Sequence, residues 1–137
     1  MPINLEELAN AMSDFASGAT YLFDTETGEI IRVRDYEREK HILLKKLDLK
    51  HPEKYVIVPK LESKESYQFM ADYIKTQVKN ESLKKRLEDA ISKDAPFRRF
   101  NEIVYKHPQE RIKWLEYKKQ RIIEKVKEWL DKLGVDY

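Results

Sequence analysis

The chain has 137 residues, 38% of them charged and 41% hydrophobic, with a net charge of +2 and no cysteine. That length fits one domain with a core of its own, and the missing cysteine excludes thiolate catalysis, disulfide frameworks, zinc ribbons and iron–sulfur ligation. No window approaches the roughly 20 apolar residues of a membrane span, and the opening Met1-Pro2-Ile3-Asn4-Leu5-Glu6-Glu7 lacks the basic and apolar regions of a secretory signal, so a cytoplasmic protein with no membrane partner is expected.

Asn4, with Glu7 three residues on, is placed as an N-cap, and Leu5, Leu8, Ala9 and Met12 recur at helical spacing. A helix from about Leu5 to Phe15, ended by Gly18, is predicted. Thr20–Asp24 and Glu29–Val33 are β-rich runs around a short loop that closes on Gly28, the pattern of a hairpin with glycine in the left-handed region. Asp24, Glu26 and Glu29 could form a small acidic site there, but carboxylates that solvate a turn explain them more simply. Ile42, Leu43, Leu44 and Leu47 fit a short helix within residues 35–47. Tyr55-Val56-Ile57-Val58, stopped by Pro59, reads as a third strand.

From Ser63 onward the period is helical. Ser63 is placed to cap a helix carrying Tyr67, Met70, Ala71, Ile74 and Val78, and Asn80 the next, with Leu83, Leu87, Ala90 and Ile91. Pro96 suits the first turn of a third helix, with Phe97, Phe100, Ile103 and Val104. The last helix is predicted from His107-Pro108 to Leu133, with Gly134 past its end. Its core stripe is read as Ile112, Leu115, Ile122, Val126, Trp129 and Leu133, with Ile123 and Leu130 beside it, interrupted at Lys119. The whole is α+β in a single domain: an N-terminal helix, hairpin and third strand over about 1–60, and a helical part over about 63–134.

Charge is unevenly spread, with residues 1–34 at net −4 and residues 95–137 at net +4. His41, His51 and His107 have no metal-ligand spacing, and two of them precede proline. There is no glycine-rich phosphate loop and no nucleophile elbow. Glu81 with Lys85, Lys84 with Glu88 and Arg98 with Glu102 are i,i+4 pairs of a solvated helix. No catalytic residue, cofactor or metal is expected.

The distinctive segment is Phe97-Arg98-Arg99-Phe100, followed by Tyr105, Lys106, Arg111, Lys113, Trp114, Tyr117, Lys118 and Arg121. Trp114, Tyr117 and Arg121 share a stripe rotated from the core stripe. Exposed, it would offer aromatic and guanidinium faces to a base and a phosphate, or to a protein partner. Buried, Trp114 and Tyr117 would pack on the sheet, while Arg98 and Arg99 paired with acids of the N-terminal third. The leading expectation is a non-enzymatic binding or regulatory protein that uses Arg98, Arg99, Lys106, Arg111, Trp114, Tyr117 and Arg121. The alternatives are a small hydrolase or nuclease, with carboxylates or His107 near the arginines in a concave pocket, and a homodimer through the last helix.

Leu5-Glu6-Glu7-Leu8, Ala11-Met12, Tyr21-Leu22 with Asp24, Glu26-Thr27-Gly28-Glu29, Tyr55-Val56-Ile57, the helix from Tyr67 to Tyr73, Ala95, Phe97-Arg98-Arg99-Phe100, Trp114 and Trp129-Leu130 before Gly134 resemble a bacterial uncharacterised protein family, the one numbered 0158. The family usually has glycine-alanine-phenylalanine before the two arginines, where this chain has Ala95-Pro96-Phe97. The resemblance implies a bacterial or phage-borne cytoplasmic protein and brings no activity with it.

Overall fold

A computed structural model describes residues 2–34, 47, 48 and 50–137. The fold is α+β, and the chain divides into two compact units, residues 1–60 with 122–137, and residues 61–121.

In the first unit, α1 (Leu5–Ser13) begins where the Asn4 side chain accepts from the Glu7 N–H at 3.0 Å. It buries Leu8, Ala9, Ala11 and Met12. The helix stops two residues before the expected Phe15, and Gly18 is not its end. Asp14 leaves helical geometry, and its carboxylate instead takes the Ser17 N–H at 3.1 Å and the Tyr21 hydroxyl at 2.6 Å. Lys60 donates to the carbonyls of Ala11 (3.0 Å) and Asp14 (2.7 Å), which satisfies the open end of α1.

The sheet is β1 (Thr20–Asp24), β2 (Ile30–Val33) and β3 (Tyr55–Ile57), antiparallel in the order β2-β1-β3. Phe23 stands opposite Ile30 on one side and Val56 on the other. It is fully buried, and Trp129 meets its ring edge-on at 5.5 Å between centres. Gly28, at φ 80°, closes the hairpin as anticipated. The helix expected within 35–47 lies, apart from Leu47, outside the described residues, as does His41.

The second unit is helical. α2 (Ser63–Gln77) is capped by Glu62 and not by Ser63: Glu62 and Glu65 satisfy each other's backbone N–H groups in a capping box. It buries Phe69, Met70, Tyr73 and Ile74. α3 (Glu81–Ile91) is capped by Asn80, which accepts from the Leu83 N–H at 3.0 Å. α4 (Pro96–Val104) opens on Pro96 after Ala95, a non-glycine residue at φ 48°. α5 (Pro108–Leu133) starts in this unit, and its last three turns, from Ile122, belong to the first. Gly134, at φ 71°, ends it, with the Val135 N–H reaching back to the Leu130 carbonyl at 3.0 Å.

α5 corrects one expectation. Ile122, Val126 and Leu130 are buried, but Ile112 is 69% and Leu115 42% exposed, while Trp114 is only 4% exposed. Within residues 108–121 the core face is therefore Trp114, Tyr117 and Arg121, the stripe that had been set apart from the core.

Candidate functional site

All seven residues singled out as a binding surface fall in the second unit. Three of them have structural work there. Trp114 meets Tyr73 and Phe100 edge-on, with ring centres 5.2 and 4.8 Å away, and Tyr117 lies 5.2 Å from Tyr73. Contacts of this kind add about 0.5–1.5 kcal/mol each beyond area burial. Tyr73 itself is buried and donates its hydroxyl to Glu110. Burial, with that carboxylate accepting from it, pushes the Tyr73 phenol well above its ordinary range.

Arg121 closes this cluster. Its guanidinium pairs with Asp72 at 3.1 Å, donates to the Tyr117 hydroxyl at 2.6 Å and lies 4.9 Å from the Phe69 ring centre. The Gln68 amide, bonded to Asp72 at 2.8 Å, and Arg121 together hold the Asp72 carboxyl below its usual range. The indole of Trp114 is thus not available to a partner, and Tyr117 and Arg121 face each other.

The other four residues are accessible to different degrees. Arg98 is 64% exposed along its side chain and only loosely met by Glu102, at 4.0 Å. Arg99 is folded back on the turn before α4: its Nε donates to the Asp94 carbonyl at 2.7 Å and one Nη to the Asp94 carboxylate at 2.9 Å. Arg99 holds the Asp94 carboxyl below its usual range. The two arginines are therefore met by acids of their own segment.

Lys106 and Arg111 are exposed, and among the described residues no carboxylate lies at ion-pair distance from either. Instead the Arg111 guanidinium carbon sits 4.5 Å from the centre of the Tyr105 ring, which is 46% exposed. Phe97, expected in the core of α4, is 38% exposed. It stands at the rim of that helix's apolar face, where Phe100 and Val104 fill the centre.

A cleft of about 230 Å³ opens between α3 and α4, lined by Arg86, Asp89, Ala90, Lys93, Arg99, Glu102 and Ile103. It gathers two arginines, a lysine and two carboxylates but not His107, and Asp89 is paired with Lys93 at 2.8 Å. Sequence reasoning missed Arg86 and Lys93. Their spacing with Asp89, at i, i+3 and i+7, was a faint signal of one helix face.

In the first unit, Asp24 is a buried structural carboxylate. It accepts the N–H groups of Glu26 (2.9 Å) and Thr27 (3.1 Å), and Lys54 lies 3.3 Å away. Burial alone would raise its pKa, but these hydrogen bonds outweigh it and hold the carboxyl below its usual range. Glu26 and Glu29 are exposed, so turn chemistry accounts for all three acids. Among the described residues no group of three or more potential ligands could hold a metal ion, and no helix is long and apolar enough to cross a membrane.

No curated protein and no solved structure matches the chain. The family model that does match covers residues 1–137, and the chain belongs to that family, the uncharacterised protein family UPF0158.

Proposed function

We propose that this is a non-enzymatic binding protein whose partner is a nucleic acid, held by Arg98, Arg99, Lys106 and Arg111 on residues 61–121. That unit carries fifteen basic and ten acidic side chains, net +5, against net −3 for the rest of the chain. The observation that carries the reading is the Arg111–Tyr105 pair: an exposed guanidinium on an exposed ring, with no carboxylate at ion-pair distance among the described residues. Such a pair presents a flat surface on which a base stacks and donors that reach a phosphate. Lys106, next to Tyr105 in the chain, and the exposed Arg98 add positive charge to the same unit. A cytoplasmic location, which the absence of cysteine fits, belongs to the same reading.

Fluorescence anisotropy with short labelled DNA and RNA tests it. With about three phosphates neutralised, log affinity should fall with log salt at a slope near −2 for single strands. The variant Arg98→Ala/Lys106→Ala/Arg111→Ala should lose most of that slope. Binding indifferent to salt, or none at low salt, would overturn the reading.

Ile112 and Leu115, exposed and three residues apart on α5, favour a second reading, a homodimer through the last helix. Sedimentation would then return twice the 16.5 kDa of one chain, and Ile112→Glu would return the monomer.

A further inference from the structure

The cleft between α3 and α4 shares only Arg99 with the proposed nucleic-acid surface. Its volume of about 230 Å³ is below the roughly 300–1,000 Å³ of pockets that enclose a drug-sized ligand. It suits a single polar group better than a whole small molecule. The buried Ala90 and half-buried Ile103 give it an apolar wall, against which a charge interacts more strongly than in open water.

The charges around it are not equivalent. Asp89 is engaged by Lys93 at 2.8 Å, and Glu102 faces Arg98 at 4.0 Å. Arg86 is exposed, and among the described residues no carboxylate lies at ion-pair distance from it. Arg99 is fixed in place by its two bonds to Asp94. Those bonds occupy two of the five N–H donors that a guanidinium carries and leave three unspent in a rigid fork. The open valences of the cleft are thus cationic, supplied by Arg86 from α3 and Arg99 from α4, with Lys93 close by to shift from Asp89.

We infer that this cleft seats one phosphate group, gripped between Arg86 and Arg99. Two sources offer that chemistry, the terminal monoester of a nucleotide or nucleic-acid end, and the diester of a nucleic-acid backbone. The inference rests on the nucleic-acid reading for the backbone diester and for a nucleic-acid end, and is independent of it for a free nucleotide. The two lining carboxylates keep the site weak for a lone anion and favour a phosphate delivered by a ligand that also touches the surrounding surface.

The test is a ¹H–¹⁵N NMR titration of the full chain with inorganic phosphate at constant ionic strength, then with 5′-phosphorylated and 5′-hydroxyl oligonucleotides of one sequence. The result expected is saturable shifts confined to the amides of residues 86–93 and 99–103, reduced at least tenfold in apparent affinity by Arg86→Ala. Arg86 is an exposed residue of α3, so the variant should fold, and an unchanged spectrum elsewhere confirms that it has. Tighter binding of the 5′-phosphorylated oligonucleotide by severalfold, lost in Arg86→Ala, assigns the seat to a terminal monoester. Equal binding of the two, both weakened by Arg86→Ala, assigns it to the backbone. Shifts that never saturate with phosphate, or that survive Arg86→Ala unchanged, overturn the inference. If oligonucleotides then still bind through Lys106 and Arg111, the proposed function stands without the cleft. If phosphate binds and oligonucleotides do not, the cleft stands and the nucleic-acid reading falls.

Discussion

The two units use the same kinds of charged residue in opposite ways. In the first, charge is a fastener. Asp24 holds the hairpin turn together from inside, Lys60 covers the carbonyl end of α1, and Asp14 ties Ser17 to Tyr21. In the second, the Arg121–Asp72 pair, the Tyr73–Glu110 bond, Lys113 on the Gln77 carbonyl and Arg99 on the Asp94 turn serve in that way, while Arg86, Lys106 and Arg111 are exposed without a carboxylate at ion-pair distance among the described residues. A cation with a local structural partner needs no other explanation. One without such a partner is where binding is best sought, so the contrast moves attention from the aromatic stripe to the outer face of the second unit.

The contrast is broken most severely by substituting an interior residue of the second unit. Trp114→Ala should cost about 3–5 kcal/mol, because the indole is buried against Tyr73 and Phe100. Urea denaturation followed by circular dichroism measures it, and a loss below 1 kcal/mol would mean that the indole lies at the surface. In the first unit, Asp24→Ala leaves two turn N–H groups without their acceptor and the Lys54 ammonium with Asp48, 3.6 Å away, at a cost of about 3 kcal/mol.

The same carboxylate sets a pH dependence. Its pKa is lowered by folding, so its contribution is complete above the usual carboxylate pKa of about 4 and is lost as pH falls through the lower folded value. Stability should decline below about pH 4, and Asp24→Asn should flatten that decline. An identical acid profile in the variant would show that Asp24 is not the group responsible.

Smaller effects sharpen the picture. Asn80→Ala removes the acceptor for the Leu83 N–H and should cost about 1 kcal/mol, read from the same denaturation curves. Ile112→Ser lies on the exposed face of α5 and should change stability by no more than about 0.5 kcal/mol.

How far the sequence foretold this depended on whether a signal was local. Asn4 and Asn80 cap their helices, Gly28 and Gly134 adopt positive φ, and Pro96 opens α4, because each acts within a few residues of chain. The face of α5 was misread because Lys118 and Arg121 lie in the stripe that Trp114 and Tyr117 share, and charged residues there look like solvent. Long side chains bury their stems while the head finds a partner, and for Arg121 that partner is Asp72, 49 positions earlier in the chain. Glu62 displaced Ser63 as a cap because the box with Glu65 satisfies two N–H groups, where a lone serine satisfies one. Of the candidate surface, Arg98, Lys106 and Arg111 were readable as exposed cations on helix ends. The cleft was not, since it needs α3 and α4 docked before Arg86 and Arg99 share a wall.

The central claim is that cations without a structural partner on residues 61–121 bind polyanions. The most direct measurement is anisotropy of a labelled single-stranded oligonucleotide across a salt series, with wild type beside Arg98→Ala/Lys106→Ala/Arg111→Ala. The account predicts affinity that falls steeply with salt in the wild type, and a variant of unchanged stability that binds at least tenfold more weakly with a shallower slope. A variant that binds as well as wild type, with the same salt slope, would contradict it.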